Sequence, residues 1–154
     1  MNERKAVPRW FTIEQANAML PLVRAITRDL MLLAREVAER RQRVTSLTAG
    51  RELSPHDPYA AELAEVENEL ERDRDRLREF VRELRELGVE AKGAVEGLVD
   101  FPTKIDGQPA YLCWQVGEPE IMFWHSLEGG FAGRQPLLAG AAADETDVPQ
   151  GNEI

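Results

Sequence analysis

Residues from Val23 to Leu47, apolar except for Arg40, recur in alternating steps of three and four: Val23, Ile26, Leu30, Leu33, Val37, Arg40, Val44, Leu47. A second run repeats the pattern: Leu63, Val66, Leu70, Asp73, Leu77, Phe80, Leu84, Leu87. This spacing draws one narrow stripe along a helix. It predicts helices over residues 20–48 and 59–87. Between them, Ala49–Pro58 is turn chemistry, with Gly50 ending the first helix and two prolines blocking continuation. Upstream, Thr12 to Gln15 has the form of a capping box, and Phe11 can staple against Ala16. A short helix over 12–19 is expected from there. Pro21 should break it, because its ring meets the carbonyl of Asn17 and it has no N–H to donate.

Two helices joined by a short loop pack antiparallel. Pairing Leu47 with Leu63 sets Leu30 beside Phe80, and it lands the two polar seam members, Arg40 and Asp73, in adjacent layers. Their meeting across the hairpin would fix register more than it stabilises. Each helix would be about 40 Å long at about 1.5 Å per residue. Such a rod, with one narrow seam per helix, calls for companion helices from a second copy, hence a homo-oligomer.

Beyond Gly88 the period shortens to two. Val89–Lys92 has the form of a short strand. Leu98–Lys104 and Ala110–Val116 flank Asp106-Gly107, a strong hairpin signal, and a turn at Gly117–Pro119 leads into Glu120–His125. The expected fold is α+β: a long coiled-coil-like helical hairpin plus a small three-stranded antiparallel sheet within 89–137. Alternation groups Tyr111, Cys113 and His125 on one side, and Leu112 with Trp114 on the other. One side should pack on the hairpin, and the other on a second subunit or the C-terminal segment, with Trp114, Trp124 and Phe131 presented at an interface. Residues 138–154 are small, acidic and without period, and are expected to be a disordered tail.

Composition narrows the function classes. The chain has 154 residues, enough for one elongated domain, and 31% are charged against 6% aromatic, a balance suited to solvated helices. The net charge of −9 disfavours nucleic acid and anionic membrane as partners. A single cysteine excludes an internal disulfide framework. With no apolar run of membrane-spanning length and no leader pattern, a cytoplasmic location is expected.

Three chemistries have candidate residues. His125 and Cys113 share a face, and Glu118, Glu128 and Asp100 lie near in sequence or on the next strand. Imidazole, thiolate and carboxylate suit a transition metal such as zinc or iron, although no standard ligand spacing is present. Gly130, Gly133 and Arg134 offer backbone amides beside a guanidinium, an arrangement that can hold an anion. The plainer alternative pairs Arg134 with a carboxylate such as Glu118 or Asp100. Nucleophilic catalysis by Cys113 with His125 is disfavoured, because the thiol sits in an apolar strand that raises its pKa.

Several short motifs fall in a familiar order: FTIEQANAMLPLVR at Phe11–Arg24, LVDFP at Leu98–Pro102, YLCW at Tyr111–Trp114, GEPEI at Gly117–Ile121, Trp124-His125, and GFAGRQPL at Gly130–Leu137. Over roughly residues 10 to 138 the chain resembles an uncharacterised prokaryotic family called domain of unknown function 2203. The resemblance implies no catalytic assignment. The leading expectation is therefore a non-enzymatic oligomeric scaffold or interaction protein. The alternatives are a metal-binding protein or metal-dependent enzyme around His125, and an anion or small-ligand sensor using the Gly129–Arg134 loop.

Overall fold

A computed structural model describes residues 7–49, 54 and 56–137. The expectations for Gly50 and for the 138–154 tail lie outside the described residues. The elements are helix α1 (Ile13–Thr48), helix α2 (Pro58–Glu86), strands β1 (Glu90–Gly93), β2 (Leu98–Ile105), β3 (Gln108–Gln115) and β4 (Phe123–Ser126), a 3₁₀ turn at Phe131–Gly133, and strand β5 (Gln135–Pro136). The strands form one antiparallel meander in the order β1-β2-β3-β4-β5.

The start of α1 is fixed by its capping box. The Thr12 hydroxyl accepts from the Gln15 amide, and the Gln15 side chain accepts from the Thr12 amide. The break expected at Pro21 does not occur, so the short helix over 12–19 and the long one over 20–48 are a single element. Pro21 lies on an exposed face, whereas Ala16, Leu20 and Val23 are buried. An internal proline costs about 3 kcal/mol. Burying a Leu or Val side chain returns about 1.5–3 kcal/mol, so two such residues hold the helix through the defect.

The hairpin register brings the two polar seam residues together: Arg40 Nη1 donates to Asp73 Oδ2 at 2.7 Å. Around them Leu33, Val37 and Leu70 form a small core flanked by Val44, Val66, Leu77 and Phe80. The larger core lies where the hairpin base meets the sheet. It gathers Phe11, Val23, Leu30, Leu84, Val99, Phe101, Leu112 and Trp114. Phe11 and Phe101 meet edge to face at 5.2 Å between centroids.

The sheet has five strands, not three. Strand β1 is short and its pairing with β2 shifts between Ala91 and Gly93, as at a bulge. Strand β5 is two residues long and holds a proline, which an edge strand tolerates. Neither carries enough alternation to complete the sheet from sequence. The β2–β3 turn is as expected, with positive φ at Asp106 (52°) and Gly107 (74°). Strand β4 starts at Phe123 rather than Glu120, because the Asn17 side chain accepts from the Ile121 amide at 2.8 Å and holds that residue against α1.

Trp114, expected at a presented interface, is instead fully buried in the chain's own core, where its indole N–H donates to the Glu118 carbonyl. Among the described residues no helix is long and apolar enough to cross a membrane.

Candidate metal centre

Register decides which side chains meet on the sheet face turned away from the large core. One row across the strands is Glu90, Asp100, Cys113 and Phe123, and the next is Pro102, Tyr111 and His125. Because side chains alternate along each strand, these two rows share a face, while Val99, Phe101, Leu112 and Trp114 point to the helices. From its row, His125 reaches diagonally to Asp100, with Nε2 at 2.9 Å from Oδ2. A ligand atom from each of Asp100, Cys113 and His125 lies within 4.8 Å of the others. All three residues are almost completely buried, at 2–3% exposure.

The hydrogen bonding of His125 carries more information than its position. Nδ1 lies 2.7 Å from the Ser126 carbonyl oxygen. A carbonyl only accepts, so Nδ1 carries a hydrogen. In a neutral imidazole Nε2 then holds a lone pair, aimed at a carboxylate oxygen. Two lone pairs do not rest at 2.9 Å. A proton shared by the pair, or a metal ion drawn in between, has to offset them. A backbone carbonyl that fixes the Nδ1–H tautomer is also the usual outer support of a metal-binding histidine.

Electrostatics agree with a buried, proton-holding cluster. Burial pushes the Asp100 carboxyl above its usual range, against the opposing pull of His125. Burial, with the Asp100 charge beside it, pushes the Cys113 thiol up to about 12. Free of metal, Cys113 is a thiol and a poor nucleophile.

A cavity of about 280 Å³ opens directly over the three residues. Lys92, Tyr111, Leu127, Gly130 and Phe131 also line it. The Lys92 ammonium sits 3.1 Å from Glu90 Oε1 and 4.9 Å from the centre of the Tyr111 ring. Burial pulls against its charge, but Glu90, together with Tyr111 and Asp100, outweighs this and its pKa is raised. The Tyr111 ring lies 5.4 Å from the His125 ring. At Gly130, φ is 55° and ψ is −163°, a combination open essentially only to glycine, and it turns the chain into the segment that carries Phe131 over the cavity.

The other candidate residues fall elsewhere. Glu128 is exposed and outside the cluster. Glu118 accepts from Arg134 and from the Gln115 amide. Arg134 also donates to the Cys113 carbonyl, and its guanidinium packs on Phe123 at 4.1 Å and on Phe131 at 4.9 Å. The Gly133 amide donates to the Gly129 and Gly130 carbonyls. The Gly130, Gly133 and Arg134 group is thus largely engaged within the chain, where it ties the loop over the sheet, although the buried Arg134 Nε has no hydrogen-bond partner among the described residues. Lys92 is a neighbour of the cluster that sequence reasoning misses, whereas Tyr111 is placed on the right face but given no role. Alternation across paired strands is the available signal for Tyr111, whose partner in β4 is His125.

No curated protein and no solved structure matches the chain. The family model described as an uncharacterized conserved protein (DUF2203) matches residues 9–137, and the chain belongs to that family.

Proposed function

We propose that the chain is a metal-binding protein whose centre is Asp100, Cys113 and His125. The observation that carries this reading is the convergence of three buried donor atoms, from Asp100, Cys113 and His125, within 4.8 Å of one another, beside a Ser126 carbonyl placed to hold the His125 ring by Nδ1. Around a zinc-sized ion, ligand atoms sit about 2.0–2.3 Å from the metal, so neighbouring ligands lie roughly 3.3–3.7 Å apart. Donor atoms already within 4.8 Å of one another reach that spacing by side-chain shifts of about 1 Å. One thiolate, one imidazole and one carboxylate favour zinc, iron or cobalt over magnesium or calcium. Three protein ligands leave a fourth position open toward the cavity, the pattern of sites that bind or transform a ligand rather than merely brace a fold.

The test is metal content and the spectrum of the cobalt(II)-loaded protein. Wild type should bind one ion per chain and show a sulfur-to-cobalt charge-transfer band. Cys113→Ser should lose the band, and His125→Ala should lose the ion. Binding that is unchanged in both variants would remove the proposal.

A second reading, self-association through the hairpin, is favoured by one observation. The seam runs past its buried stretch to an open apolar groove lined by Val44, Leu47, Tyr59, Leu63 and Val66, with Leu47 62% exposed and Tyr59 60% exposed. A second copy's helices would cover it. Light scattering should then report a dimer or larger, and Leu47→Glu should return it to monomer. A monomeric wild type at all concentrations would end this reading.

A further inference from the structure

We infer that the open coordination position receives a small monocarboxylate with an apolar body. This inference rests on the metal-binding reading.

Charge selects the head group. A divalent ion held by the Asp100 carboxylate and the Cys113 thiolate is a net neutral centre. Beside it, the Lys92 ammonium faces Glu90, another balanced pair. A carboxylate with one oxygen on the metal and the other toward Lys92 would meet both cations beside the cavity, the ion and the ammonium, with a single negative charge. A doubly charged phosphate would set two negative charges against Asp100 and Glu90, with a single ammonium to offset them. Lys92 can serve both Glu90 and a ligand, since an ammonium has three donors and the contacts described for it are Glu90 and the face of the Tyr111 ring.

The walls select the rest of the molecule. Apart from the three ligands, Lys92 and Tyr111, the lining is Leu98, Leu127, Gly130 and Phe131. Leu127 and Phe131 are 54% and 49% exposed, so they hold apolar surface at the cavity mouth that no part of the described chain covers. The pinning of Arg134 against Phe123 and Phe131, with Glu118 as its ion partner, keeps that mouth in shape. An aliphatic or aromatic body of a few carbons would cover this surface. A centre with these walls has an anchor for a carboxylate and an apolar seat for the body attached to it.

The experiment titrates the cobalt(II)-loaded protein with phenylacetate, acetate, phenylacetamide and inorganic phosphate, and monitors the visible cobalt bands. Phenylacetate should shift the bands, acetate should do so more weakly, and phenylacetamide and phosphate should not at the same concentrations. Lys92→Met should weaken phenylacetate about tenfold, the loss expected for a charge-assisted contact. Phe131→Ala should weaken phenylacetate but leave acetate unchanged. Both substitutions are at exposed positions, so the fold is kept. If cobalt binds and no carboxylate moves the bands, or if phosphate binds better than phenylacetate, this inference is overturned while the metal centre stands. If cobalt does not bind at all, both fall together.

Discussion

Metal binding at this centre should release about two protons per ion near neutral pH, and the count comes from the geometry. The Cys113 thiol, raised to about 12 by burial, is protonated throughout the neutral range and must give up its proton to become a ligand. With Nδ1–H given to the Ser126 carbonyl, the 2.9 Å contact between His125 Nε2 and Asp100 Oδ2 needs one more proton to be a hydrogen bond. Neither proton survives an ion bound to all three atoms. Affinity must therefore rise with pH, by about a hundredfold per unit while both protons remain to be displaced. Calorimetric titration with zinc in buffers of different ionisation heat gives the number released directly. Cys113→Ser should lower it to about one, since a serine ligand would keep its hydroxyl hydrogen. Release of well under one proton by the wild type, or the same count in Cys113→Ser, would refute the assignment of these atoms as ligands.

Other consequences can be read from stability. Burial raises the Asp100 pKa, so the folded state holds that proton more tightly than the unfolded state. This contribution to stability is complete below the ordinary carboxylate range and is lost as pH rises through the raised value. Asp100→Asn should accordingly raise the melting temperature of metal-free protein at neutral pH, with the gain vanishing in acid; a lower melting temperature at neutral pH would count against burial as the dominant effect. Arg40→Leu leaves the Asp73 carboxylate unpaired at 19% exposure and should cost about 1–2 kcal/mol in urea denaturation, with Asp73→Leu recovering most of it in the double variant. Additive single effects would show that the pair is not coupled. Trp114→Ala removes a fully buried ring and its hydrogen bond to the Glu118 carbonyl and should cost about 3–5 kcal/mol. A loss below about 1 kcal/mol would mean that the core is not organised around it.

The hairpin is legible in the sequence because its seam repeats over many turns, and a long regular signal survives a few polar interruptions. Arg40 and Asp73 are the informative exceptions, since their spacing from the loop places them in neighbouring layers. Pro21 misleads because a local rule is outweighed there by tertiary burial of Leu20 and Val23. Strands β1 and β5 escape a full reading for the opposite reason: four residues and two residues hold little or no period, and their pairing depends on partners along the chain. Trp114 does not lie at an exposed interface, although alternation correctly sets it opposite Cys113. Alternation cannot reveal which face the helices cover.

The site is legible in part. Alternation alone puts Cys113 and His125 on one face, and the neighbouring strand supplies Asp100. The choice among carboxylates is not legible, because Glu118 sits in a turn whose direction only the fold defines, and there it meets Arg134. The tautomer of His125 is also invisible in sequence, since it depends on the carbonyl of the next residue folding back to the ring.

Both the proton count and the carboxylate seat require Asp100, Cys113 and His125 to hold one metal ion between them. Elemental analysis of purified wild type and of His125→Ala, each after supplementation with zinc, decides this. One ion per chain is expected in the wild type and none in the variant. A wild type without metal, or a variant with as much as the wild type, would contradict the shared site.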